Sequence, residues 1–99
     1  TDGWFTILVI KIDRYSEFMK KFEGSDRSLL KFAIMNIAQE LLSKYYNVMA
    51  VDMNEDRLAV FLNKAEMPEY SAAFLESILR EVQSLVMTHL NISVSMILS

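Results

Sequence analysis

The sequence predicts an α+β sandwich, a four-stranded antiparallel sheet with its helices on one face. Runs rich in β-branched and aromatic residues are separated by longer stretches with helical spacing of their apolar residues. Their order is strand, two helices, two strands, helix, strand, and the two middle strands are joined by a short charged turn, as in a hairpin. Ninety-nine residues fit one compact domain, long enough to bury a core without metal or disulfide.

The first run, "WFTILVIKI", residues 4–12, is apolar on both parities until Lys11 and suits a central strand. In "DRYSEFMKKFEGSD", Tyr15, Phe18, Met19 and Phe22 fall at i, i+3, i+4 and i+7, which predicts a short helix stopped by Gly24, with Ser25 or Asp26 capping the next. That second helix, "DRSLLKFAIMNIAQELLSKYY", places Leu30, Ala33, Ile34, Ile37, Leu41 and Leu42 on one face and Lys31, Gln39, Glu40 and Lys44 away from it. "YNVMAVDM" and "RLAVFLN" form the hairpin, and Pro68 starts a third helix that runs from Glu69 to about His89. Its expected buried stripe is Ala73, Phe74, Ile78, Val82, Leu85 and Val86. "NISVSMILS" is the closing strand, with Ile92, Val94, Met96 and Leu98 on one face and Ser93, Ser95 and Ile97 on the other.

With right-handed crossovers this order gives the spatial strand order 4-1-3-2, a ferredoxin-like sandwich, which resembles in outline the palm of nucleotide cyclases. Strand two then runs parallel to strand one, so Lys11 and Asp13 lie at the same end of the sheet as the turn Asn54–Arg57. Acidic groups gathered at that end are how palm-type cyclases and polymerases hold catalytic Mg²⁺.

Composition narrows the function classes. The chain has no cysteine, which excludes disulfides, thiolate metal sites and thiol chemistry and fits a cytoplasmic location. A net charge of −3 and no Lys/Arg stripe argue against nucleic-acid contact by this domain itself. "WFTILVI" is far short of the ~20 residues that a membrane span needs. Thr1-Asp2-Gly3 directly precedes a strand and the last residues read as one, so we expect a module of a longer protein.

At the hairpin end the sequence resembles a known family. "ILVIKIDRYSEF" looks like the first strand of the GGDEF, or diguanylate cyclase, domain, whose pattern is an apolar strand followed by D-x-D-x-F-K. "MNEDRLAVFL" sits where the GGDEF signature belongs, "GSDRSLLKFAI" resembles the family's G-D-x-x-L-L helix start, and "ISVSMILS" its T-V-S-I-G-I-A strand. The similarity spans nearly the whole chain in topology and spacing, although the family's C-terminal portion is lacking. "IDRYSEF", "LLKFAIMNIAQE" and "EDRLAVFL" are further similar to strings in the degenerate GGDEF-like domain between the receiver and AraC-type helix-turn-helix domains of some bacterial two-component response regulators.

Carried over by position, the resemblance implies lost chemistry. The first metal-binding aspartate of D-x-D corresponds to Lys11, and Asp13 matches the second. If Leu58 stands for the signature's buried phenylalanine, the two glycines become Asn54 and Glu55, the aspartate is kept as Asp56, and the catalytic glutamate becomes Arg57. The other register, with Arg57 for the phenylalanine, keeps an acidic pair but puts an arginine where the strand needs a buried ring, so we read the first. The family's guanine-reading asparagine falls near Met19, and the loop before Asp26 is shorter than the family's. Cations in place of carboxylates expel a metal ion, because like charges ~4 Å apart repel by about 1 kcal/mol even at water's dielectric. Replacing both glycines removes the close backbone approach that a phosphate needs.

The expectation is therefore a non-catalytic, cofactor-free regulatory and interaction module of a transcriptional regulator. Its implied neighbours are the parent protein's receiver and helix-turn-helix domains. The alternatives are a nucleotide-binding or active cyclase relative, distinguished by Lys11 and Arg57, and a small-ligand-binding ferredoxin-like domain, which would need a concave pocket. Asp13, Glu55 and Asp56 otherwise read as helix-cap and turn residues, with Lys11 paired to the acidic hairpin. Asn36 reads as a hydrogen-bonding core residue, His89 as the end of helix three, and "KKFEGSDR" as a solvated loop. Met19, Met35, Met49, Met53 and Met96, of seven methionines, read as packing. Strand parity puts Phe5, Ile7, Val9, Ala59, Phe61 and Ile97 on the sheet face without helices, an apolar group that we expect a homodimer partner, a neighbouring domain or a further segment to cover.

Overall fold

A computed structural model of the chain describes residues 5–63 and 72–98. Strand β1 spans Phe5–Ile12, helix α1 Tyr15–Lys21, helix α2 Gly24–Leu42, strand β2 Asn47–Asp52, strand β3 Arg57–Asn63, helix α3 Ala72–Leu90 and strand β4 Val94–Leu98. Trp4, Pro68, Glu69 and Ser99 lie outside the described residues, as does the Phe5 side chain.

The sheet order is β2-β3-β1-β4 with every neighbouring pair antiparallel, the ferredoxin-like arrangement that the order of elements implies. Because side chains alternate faces along a strand, register sorts the sheet into two surfaces. One carries Leu8, Ile10, Ile12, Leu58, Val60 and Leu62, all at 1% exposure or less, and the helices pack on it. Ile34, Ala38 and Leu42 of α2 and Ile78, Leu79, Val82 and Val86 of α3 close the core from the other side.

Several local expectations are corrected. Gly24 does not stop α1: Phe22 does, in extended backbone (φ −125°, ψ 144°), while Gly24 is the first residue of α2, without positive φ. Neither Ser25 nor Asp26 caps α2; Glu23 holds that position through its backbone, with Asp26 in the first turn, where negative charge suits the helix dipole. In α3 the buried stripe runs through Leu75 and Leu79, and Ala73 is exposed. Asn36 is exposed rather than in the core. Met19, Met49 and Met53 are 45%, 62% and 49% exposed, so only Met35 and Met96 of the methionines read as packing lie against the core.

The largest departure is Lys31. Expected on the outer face of α2, it is instead buried on the stripe with Ile34, Ala38 and Leu42. Its Nζ donates to Oδ1 of Asp52 at 2.7 Å, joining α2 to the end of β2. Meanwhile Leu29 and Phe32 of the same helix face solvent. A helix apolar on nearly every side does not reveal its inner face by spacing; here Ile34, Ala38 and Leu42 face the core, and the Asp52 carboxylate on the sheet edge meets the lysine that this rotation buries.

The candidate site at the hairpin end of the sheet

Antiparallel pairing of β1 with β3 sets Lys11 opposite Arg57, and the amide of Ile12 donates to the carbonyl of Asp56 at 2.8 Å. The end of β1 and the hairpin turn thus meet, as topology predicts. Asp56 lies between two cations, its Oδ2 3.7 Å from Lys11 Nζ and its Oδ1 3.9 Å from Arg57 Nε. Both ion pairs are partly exposed, so each is worth at most about 1 kcal/mol.

Asn54 and Glu55 form the tip of the turn, with left-handed φ values of 73° and 52°. The amide of Asn54 donates to Oδ1 of Asp52 at 2.7 Å, which ties the tip to the Lys31 pair. Burial pushes the Asp52 carboxyl up, but the hydrogen bonds from Lys31 and the Asn54 amide, with the lysine charge, outweigh it and hold the group below its ordinary value.

Asp13 is at the same end but engaged elsewhere. It is not a helix cap: Arg14, at φ 50°, precedes α1. Its two carboxylate oxygens accept hydrogen bonds from Ser93 Oγ and Ser95 Oγ, each at 2.6 Å, and its amide donates to the carbonyl of Ser93. The Ser93 and Ser95 hydroxyls, in that order, lower its pKa, burial opposes them, and Lys11 and Arg14 add smaller favourable charge. Among the described residues, no three His, Cys, Asp or Glu side chains gather as a metal-holding group.

Sequence reasoning missed two features. Ser93, just before β4, and Ser95 within it read from the sequence only as one face of an alternating strand, yet they tie down Asp13. A cavity of about 260 Å³ lies between α1 and the α3–β4 connection, lined by the apolar Phe18, Phe22, Met87 and Ile92 together with the cations Arg14 and Lys21. These residues are far apart in sequence and share no motif, so only the fold brings them together.

The sheet face away from the helices carries the expected apolar group. Register aligns Val51, Ala59, Val9 and Ile97 in one row and Met49, Phe61 and Ile7 in the next. Met49 and Val51 were not anticipated there. Met49, Ile97 and Val51 are 62%, 53% and 41% exposed, whereas Ala59, small and central, is 3% exposed.

No described helix is long and apolar enough to cross a membrane. No family model matches the chain. No curated protein matches it either. Among solved structures it is similar to a de novo designed protein with a ferredoxin fold, at 12% identity and a TM-score of 0.45, over 99% of this chain and 85% of the designed one.

Proposed function

We propose that this domain is a non-catalytic regulatory and interaction module, working within a cytoplasmic bacterial transcriptional response regulator whose receiver and AraC-type helix-turn-helix domains flank it. The observation that carries the reading is the fate of Asp56. In the GGDEF resemblance it is the retained signature aspartate, and here Lys11 and Arg57 neutralise it from both sides. A divalent cation at Asp56 would have to displace the Lys11 ammonium and the Arg57 guanidinium, which lie 3.7 and 3.9 Å from its carboxylate, or bind against a repulsion of about 1 kcal/mol or more from each. Asp13, the other matching carboxylate, already has both oxygens engaged by Ser93 and Ser95.

The backbone supports the register behind this reading. Asn54 and Glu55, the positions matched to the signature's two glycines, both hold the positive φ that glycine adopts most readily. The turn keeps a glycine-like path while its residues have lost the open approach that a phosphate requires. With the chemistry gone, the apolar open face is the feature left to act, and an apolar patch beyond a few hundred Å² is seldom left to water.

Isothermal titration with GTP in the presence of Mg²⁺ tests the reading. We expect no heat of binding. Micromolar, Mg²⁺-dependent binding abolished by Asp56→Asn would instead make the domain a nucleotide-binding cyclase relative.

A further inference from the structure

The cavity between α1 and the α3–β4 connection reaches the core, for its lining residues Ile12, Phe18 and Ile92 are 0%, 6% and 6% exposed. Met87, also in the lining, is 44% exposed, so apolar surface there is open to a guest. On the α1 side the lining is aromatic. Tyr15, Phe18 and Phe22 follow one another along the helix with ring centroids 5.7 and 5.3 Å apart, and the last two line the cavity. Rings and a thioether are the surfaces against which another ring packs well. The volume of about 260 Å³ holds roughly ten non-hydrogen atoms at the density of a protein interior.

Both chain segments around the cavity are held in place without a ligand. Arg14 on one and Asn91 on the other line it, with left-handed backbone at φ 50° and 57°. An arginine in that region persists only where its neighbours hold it. Asp13 before it is bound by the Ser93 and Ser95 hydroxyls, and the Arg14 carbonyl accepts from the amides of Glu17 and Phe18 at 3.0 and 3.1 Å. Little further ordering is needed on binding.

Charge narrows the class of guest. Four ionised side chains line the cavity: Asp13, Arg14, Glu17 and Lys21. Each oxygen of Asp13 already accepts a serine hydroxyl at 2.6 Å. Glu17 Oε1 lies 3.6 Å from Arg14 Nε, but with side chains 72% and 66% exposed the two form a weak pair that another carboxylate can replace. Among the described residues Lys21 has no carboxylate within ion-pair distance, and its Nζ stands 5.5 Å from the centroid of the Phe22 ring. The unmatched charge is therefore positive and lies beside apolar surface. We infer that the cavity binds a small aromatic monocarboxylate, its carboxylate taken by Lys21 and Arg14 and its ring packed among Phe18, Phe22 and Met87. This adds a small-molecule input to the module and does not rest on the fate of the hairpin end.

Titration of the isotopically labelled domain with phenylacetate, followed by the shifts of its backbone amide signals, tests this. We expect saturable shifts centred on Lys21, Phe22, Met87 and Asn91, with a Kd of about 1 mM or tighter for a ligand of this size. Acetate, which lacks the ring, and phenylacetamide, which lacks the charge, should each bind at least about fivefold more weakly. Lys21→Gln and Met87→Trp change exposed positions and should leave the circular dichroism unchanged. The first should weaken phenylacetate by about three- to tenfold, and the second, by filling the cavity, should abolish its binding. No saturable shift at these amides overturns the site, as does binding that neither substitution alters. Phenylacetamide or phenethylamine binding as tightly as phenylacetate overturns the anionic class. All of these are read without GTP or Mg²⁺, so failure here leaves the non-catalytic reading standing, and Mg²⁺–GTP binding would leave this site standing.

Discussion

Glu55 sits in the left-handed region at φ 52°, beside Asn54 at 73°. Asparagine tolerates that backbone, whereas a longer L side chain crowds the following carbonyl at a cost of about 1–2 kcal/mol. Glu55→Gly should therefore raise stability by about 0.5–1 kcal/mol in urea unfolding, since relief of the strain exceeds the extra freedom gained by the unfolded chain. A loss of stability would mean that Glu55 makes a contact worth more than its backbone costs. Lys31 and Asp52 call for the opposite test, because their burial is unequal: 9% side-chain exposure for the lysine and 46% for the aspartate. Asp52→Ala strands a buried ammonium and frees the Asn54 amide, and should cost about 2 kcal/mol or more. Lys31→Met leaves a half-exposed carboxylate that water can solvate, and should cost less than about 1 kcal/mol. Equal losses would contradict the asymmetry. Neither residue's place was legible in the sequence: lysine in an apolar helix reads as a surface residue until its partner on the sheet edge is known.

At the scale of elements, β4 is held to the end of β1 by Asp13 as well as by the strand ladder. Asp13 and Asp52 both have folded-state pKa values below their ordinary ones. A carboxyl so depressed contributes stability that is fully present above its unfolded value, about 3.9, and is lost as pH falls through the folded one. Stability should thus fall as pH drops below about 4, and Asp13→Asn should flatten that acid limb while costing stability at pH 7. An acid limb unchanged in Asp13→Asn, followed by urea unfolding at a series of pH values, would contradict the role given to the two serines. Strand faces were legible because a period of two leaves one choice once one residue is placed, and Leu8, Ile10 and Ile12 placed it. Helix rotation was less so. α2 carries large apolar residues at positions as far round as Leu29 and Phe32, and so offers no single inner stripe.

For the whole molecule, topology did the work that motifs could not. The order of elements alone sends the end of β1 to the hairpin, and the structure has Lys11, Asp56 and Arg57 in contact there. The pairing of Asp13 with β4 and the cavity under α1 were not legible, because both depend on where the α3–β4 connection passes, and no sequence signal marks that path. The account's central claim is that this end of the sheet is held by cations instead of being open to them. Mn²⁺ titration of the isotopically labelled domain, read as paramagnetic broadening of backbone amide signals, tests it most directly. We predict no localised broadening at Ile12, Asp13, Asp56 or Arg57 at sub-millimolar Mn²⁺; saturable broadening centred on those amides, removed by excess Mg²⁺, would contradict the account.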